Sequence, residues 1–124
     1  MTSKTAIITG MLLMAIGVAL GAFGAHALKE ILAASGRTDT YELAIRYLMI
    51  HGVGIIILGN LMVKFPGVRT AILFLLVGIF FFSGSLLILA LANQPMWGAV
   101  APLGGTSFIV GWILAARTIY RSES

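Results

Sequence analysis

His26, Arg46 and His51 are the side chains of this chain best equipped for chemistry. Imidazole titrates near neutral pH and ligates metals, while a guanidinium holds phosphate or carboxylate through paired hydrogen bonds. Hydroxyls at Ser83, Ser85, Thr106 and Ser107 are available to complete such a set. Four chemistries are open to it. A neutral histidine bonded to backbone or hydroxyl makes a structural network, with Thr106 and Ser107 as partners for His51. Arg46 with the two histidines holds an anion or a lipid headgroup. His26 and His51 ligate a metal or haem. A histidine relays protons.

Two of these are thinly supported. Two histidines alone make a sparse metal site. No carboxylate lies within an apolar stretch to serve a proton relay or an acid-coupled exporter, since Glu30, Asp39, Glu42 and Glu123 all fall outside or at the edges. Ser83 or Ser85 with His51 would form a nucleophile and base, but no third group is placed to orient them. The chain contains no phosphate-binding loop, dinucleotide fingerprint or zinc-protease motif. An enzyme is not expected, and no catalytic residue, metal or cofactor is assigned.

The elements that must position these side chains are membrane spans. Four stretches, approximately 5–28, 44–63, 70–92 and 99–116, contain almost no charge. Each approaches the roughly 20 helical residues needed to cross a ~30 Å hydrocarbon core. Hydrophobic residues make up 60% of the chain, charged residues 10%, and the mean hydropathy is +1.07; a soluble domain carries about a quarter charged residues. Backbone polar groups in lipid must be satisfied within each helix. The expected fold is therefore all-α, an integral membrane four-helix bundle of antiparallel up-down hairpins. Residues 1–124 form a single transmembrane domain.

The net charge of +4 does not indicate nucleic acid, because the eight Lys and Arg residues sit singly at segment ends rather than in a stripe. They suit headgroup anchoring and topology instead. Lys4, Lys64, Arg69, Arg117 and Arg121 fall on one side, against Lys29, Arg37 and Arg46 on the other. Five against three places both termini in the cytoplasm, with His26 and Arg46 near the outer interface. His51 is then about 7 Å deeper. One rival reading takes Ala25-His26-Ala27 as a signal-peptide cleavage site, which would leave three spans. Its apolar region is long for that role. The chain has no cysteine, hence no disulfide or thiolate site.

Local signals refine the elements. Lys29–Ala34 remains helix-compatible, with Gly36 as its C-terminal cap and a bend at Gly21 or Gly24. This piece is expected to lie amphipathically along the headgroups. Asp39 and Glu42 have the spacing of a capping-box variant, and Tyr41 and Tyr47 suit the interfacial belt. Lys64-Phe65-Pro66-Gly67 is a hairpin turn. Asn93-Gln94-Pro95 ends the third helix, Trp97 sits at the interface, and Pro102 opens the fourth helix.

Fifteen glycines in so short a chain point to close helix packing. Gly10, Gly17, Gly21 and Gly24 line one face of the first helix. Gly52 and Gly59 share a face of the second, and Gly104 and Gly111 share one of the fourth. Gly52 and Gly54 are expected to leave space beside His51, and Asn60 to bond between helices. A glycine-rich packing surface without catalytic groups makes a non-enzymatic accessory or scaffold subunit, or a self-associating bundle, the leading expectation, as a homo-oligomer or part of a larger membrane complex. The alternative is a lipid or small-anion binder or transporter using His26, Arg46 and His51 near the outer side. Membrane lipids are the other expected partners, and nucleic acid is not.

Three segments carry a family resemblance. They are Leu20-Gly21-Ala22-Phe23-Gly24-Ala25-His26, Phe82-Ser83-Gly84-Ser85-Leu86, and Pro102-Leu103-Gly104-Gly105-Thr106-Ser107-Phe108 with Gly111-Trp112. In that order they resemble the small bacterial inner-membrane family known as domain of unknown function 423, which has relatives in eukaryotic transmembrane protein 256. The resemblance covers nearly the whole chain. It implies a four-helix multi-pass membrane protein of uncharacterised function, speaks against signal-peptide cleavage and supplies no catalytic residues. The chain departs from the family pattern at Leu87, where an aromatic is common, and at Ala101, where a polar residue precedes the proline.

Overall fold

A computed structural model describes residues 1–122; Glu123 lies outside the described residues. The chain is helical almost throughout. Its elements are α1 (Ser3–Ala25), α2 (Lys29–Ser35), α3 (Thr38–Leu61), α4 (Val68–Gly78), a π-helical turn (Ile79–Ser83), α5 (Gly84–Ala92), a 3₁₀ turn (Pro95–Ala99) and α6 (Ala101–Arg121). Among the described residues, four helices are long and apolar enough to span a membrane. They are Ser3–Ala25, Thr38–Leu61, the continuous Val68–Ala92, and Pro95–Arg121. The third span thus consists of α4, the π turn and α5.

Several boundaries differ from those expected. The second span begins at Thr38 rather than near residue 44, because α2 ends and α3 begins with hardly a loop between them. Gly36 sits in the left-handed conformation (φ 70°). Its N–H bonds to Ala33 O (3.2 Å), while the Arg37 N–H bonds to Leu32 O (2.9 Å). That is a Schellman closure, open to glycine at no Cβ cost. The capping box does not form: Arg37 is the N-cap without a side-chain bond, and Asp39 falls within the first turn. The first helix breaks at His26, not at Gly21 or Gly24. Nor does α2 merely lie on headgroups, since Leu32 is buried with Tyr41, Ile45 and Ala90. The fourth helix continues to Arg121, beyond the apolar segment that ended near residue 116.

Two helix pairs pack tightly, α1 on α3 and α4 on α6, and α3 joins them through the third span. The glycines explain both seams. A Cβ on Gly10 would meet Ile56 Cγ1 at 2.6 Å and Gly52 O at 2.7 Å, and one on Gly59 would meet Ile7 and Ala6. Gly17 receives Met49 and Leu48, and the Tyr41 ring lies directly against Gly24. Gly104 sits against Phe82 and Gly78, while Gly111 faces Leu75, Ala71 and Phe74. Side-chain hydroxyls add stitches to the carbonyls of neighbouring helices. Ser3 Oγ donates to Gly59 O (2.6 Å), Ser83 Oγ to Ala44 O (2.7 Å) and Ser107 Oγ to Phe74 O (2.7 Å). In lipid each such bond contributes roughly 0.6–2 kcal/mol. Asn60 makes no such stitch, because its amide donates to Ile56 O one turn back in its own helix.

Candidate functional site

The three ionisable residues singled out above occupy three different surroundings. His26 ends α1 and is exposed beside Ala22, Phe23 and Ala27. His51 is buried in the second span, 5% exposed. Its Nδ1 lies 2.8 Å from Tyr47 O, and its ring stacks on Phe108 with centroids 3.6 Å apart and planes 12° apart. Tyr47 and Trp112 flank it at 5.8 and 6.0 Å. Arg46 is exposed and lines a cavity of about 230 Å³ together with Gly21, Gly24, Ala25, Leu32, Thr38, Tyr41, Glu42 and Ile45. Neither histidine lines that cavity.

The expected partners of His51 point elsewhere. Thr106 Oγ1 donates to Pro102 O (2.8 Å) in its own helix, and Ser107 is committed to Phe74. Gly52 and Gly54 leave no space beside the imidazole. Gly52 faces Met14 and Leu13 of α1, and a Cβ on Gly54 would strike the Trp112 ring at 2.7 Å. The imidazole is instead clasped by aromatics, which the apolar run around it could not reveal. Ser85 Oγ bonds to Phe82 O (3.0 Å) in its own helix, and Ser83 is spent on Ala44. Among the described residues no hydrogen bond joins either serine to His51, and no group of three His, Cys, Asp or Glu side chains converges on a point.

The π turn explains how the third span serves this arrangement. One extra residue per turn shifts the register, so Ser83 reaches α3 while Phe82 reaches Tyr47 (centroids 4.7 Å) and Phe108 (5.7 Å). Gly78 immediately before the turn admits the Phe108 ring. Tyr41, expected at the interface, is 1% exposed, and its hydroxyl donates to Leu20 O. That bond anchors α3 to α1 beside the Arg46 cavity. Arg37 Nε donates to Asn93 Oδ1 (3.0 Å), tying the start of the second span to the end of the third. Arg37 is thereby engaged, and Arg46 is the cation that faces the cavity.

The cavity residues that sequence reasoning missed are Thr38 and Glu42. The sequence offers Glu42 only as a capping-box acid at the start of the second helix. Once the helix starts at Thr38, Glu42 and Arg46 stand four residues apart on one face. Gly21 also lines the cavity, and an added Cβ there would meet no other side chain or neighbouring helix within 4 Å.

Comparison with known proteins decides the family. The family described as Protein of unknown function (DUF423) matches residues 20–105. The chain belongs to this family. Its relatives include UPF0382 membrane protein SH2409 of Staphylococcus haemolyticus, 42% identical over 119 residues, covering 95% of this chain and 97% of the relative. UPF0382 membrane protein YwdK of Bacillus subtilis is 37% identical over 114 residues, 90% and 92% of the two chains. UPF0382 inner membrane protein YgdD of Escherichia coli K12 is 36% identical over 116 residues, 92% and 88%. No solved structure matches the chain. DUF423 membership agrees with the resemblance read from the three sequence segments, and with a multi-pass membrane protein of uncharacterised function.

Proposed function

We propose that this protein is a non-catalytic inner-membrane bundle that takes up the polar head of a membrane lipid in the Arg46 cavity. One observation carries the reading: an exposed guanidinium lines a cavity that is open beside Gly21, where an added Cβ would meet no other side chain or neighbouring helix within 4 Å. Its volume is below the ~300–1,000 Å³ typical of pockets for drug-sized ligands, which suits a headgroup rather than a whole lipid. The histidines are not part of this proposal. His51 serves packing, and His26 stands apart.

Five positive residues against three support cytoplasmic termini and an outward-facing cavity. Because the chain lacks cysteine, single cysteines at Thr2, the exposed Ala34 and Ser122 report orientation directly. A membrane-impermeant thiol reagent on intact cells should label the Ala34 position alone. Labelling at Thr2 or Ser122 reverses the assignment.

The function itself is tested by native mass spectrometry of protein extracted from its own membranes in mild detergent. Wild type should retain the mass of a phospholipid. Arg46→Gln removes the charge and Gly21→Leu fills the cavity, so both variants should lose that mass while the helical fold persists. A wild-type protein that carries no lipid removes the reading.

A second reading rests on a separate observation. Helix α1 packs chiefly on α3 and leaves Ile8, Met11, Leu12, Ile16 and Val18 exposed along its outer side. Self-association or docking into a larger complex would use this face, since most of the glycine faces are consumed within the chain. Crosslinking in native membranes that yields only monomers removes this alternative.

A further inference from the structure

The chemical nature of the headgroup is written in the charges of the cavity. Apart from the Tyr41 phenol, Glu42 and Arg46 are the ionisable side chains that line it, and their formal charges sum to zero. A purely anionic head would satisfy Arg46 but set a second negative charge beside the Glu42 carboxylate, an arrangement that interfaces avoid. Glutamate four residues before a basic residue has the order that favours mutual pairing on a helix. Yet among the described residues no hydrogen bond joins Glu42 to Arg46, and both side chains are exposed to the cavity region. Each is left to meet a charge from outside.

Their order along the membrane normal is informative. The second span enters at Thr38, so Glu42 lies nearer water than Arg46 by one helical turn, ~6 Å. In a phospholipid the phosphate adjoins the glycerol and acyl chains, and any amine is outermost. A zwitterionic head therefore meets Arg46 with its phosphate and Glu42 with its cation, without inverting the lipid. The guanidinium suits phosphate through its forked donors. The carboxylate is an acceptor only and requires N–H donors in return. A primary ammonium supplies three of these, whereas a quaternary trimethylammonium supplies none and is bulkier in a cavity of about 230 Å³.

Building on the headgroup reading above, we infer that the cavity selects a phosphate linked by two carbons to a primary ammonium, the head of an ethanolamine phospholipid, with Arg46 on the phosphate and Glu42 on the ammonium. The test uses the full-length protein in detergent, offered equal amounts of ethanolamine, glycerol and choline phospholipids of identical acyl chains. Native mass spectrometry reads the lipid retained. Wild type should favour the ethanolamine lipid by about tenfold or more, the scale of one hydrogen bond to a charged group. Glu42→Gln should bind lipid but lose the preference of ethanolamine over glycerol heads, and Arg46→Gln should lose all three.

Equal retention of the three lipids by wild type, or an unchanged preference in Glu42→Gln, overturns the ethanolamine assignment and leaves the cavity reading intact. Loss of the preference in wild type and variant alike has the same meaning. Absence of lipid from wild type, or full retention by Arg46→Gln, defeats the underlying reading itself. A separate arm offers soluble glycerophosphoethanolamine. Uptake of that compound by a protein that retains no ethanolamine lipid would assign the site to a free metabolite and overturn the lipid as occupant.

Discussion

Alanine placed at Gly104 and, separately, at the adjacent Gly105 isolates the cost of close helix approach in this bundle. At position 104 the new methyl would lie 2.7 Å from Phe82 Cβ and 2.8 Å from Gly78 O, and directly against Phe82 N. At position 105 the nearest atom is Phe82 Cδ2 at 3.9 Å, an ordinary contact. Two of the three atoms crowding position 104 belong to backbone, so no rotamer change relieves them. Helix α6 must draw away from the third span at the π turn. Overpacking of this kind costs about 1–3 kcal/mol. Alanine also gains about 0.8–1.0 kcal/mol over glycine in a helix interior, but that gain is common to both variants and cancels in the comparison. Gly104→Ala should therefore be less stable than Gly105→Ala by about 1–3 kcal/mol, toward the upper part of that range because backbone cannot yield. The assay is unfolding by titration of sodium dodecyl sulfate into dodecylmaltoside micelles, followed by the fluorescence of Trp97 and Trp112. Equal midpoints, or a more stable Gly104→Ala, would refute the claim that this glycine exists to admit the neighbouring backbone.

Other consequences can be read in the same titration. Ser83→Ala removes the bond to Ala44 O and should cost about 0.6–1.7 kcal/mol, whereas Asn60→Leu, whose amide serves only its own helix, should change stability little; equal losses would contradict the assignment of stitches. His51→Ala opens a gap beneath Phe108 and should cost about 2–5 kcal/mol, with His51→Phe costing less because the ring stack survives. If His51→Ala instead abolishes lipid retention at unchanged stability, the histidine belongs to the binding site after all.

Legibility from sequence followed the physics of each signal. Four spans were visible because lipid imposes a composition requirement over some 20 residues that no local detail can disguise. Gly36 as a cap was visible for a similar reason, since glycine is the residue that accepts the left-handed turn without penalty. The start of α3 was legible in part. Residues 38–43 are polar or amphipathic, so a hydropathy-based boundary excludes them, while the Asp39–Glu42 spacing puts a helix start within two residues of the observed N-cap, Arg37. What the sequence did not show is that Glu42 and Arg46, one turn apart on α3, line a common cavity, and that changed which residues form a site. The supposed cluster of His26, Arg46 and His51 rested on shared membrane depth. Depth does not specify the direction around each helix, and the three side chains leave their helices in different directions.

The sequence by itself determined that this is a multi-pass helical membrane protein, how many spans it has, where its main turns fall and which glycines are dense enough to bring helices together. Each of these depends on composition or short-range geometry. Tertiary structure alone decided which helix each glycine faces, that α1 packs chiefly on α3, that a π turn aims Phe82 and Ser83 at α3 and α6, and that Arg46 shares a cavity with Glu42 rather than with a histidine. In lipid the hydrophobic effect does not distinguish one apolar face from another. Rotational settings are chosen instead by steric fit, such as Tyr41 against Gly24 and Phe108 against Gly78, and by a few hydroxyl-to-carbonyl bonds between residues distant in sequence. Those terms exist only between folded elements.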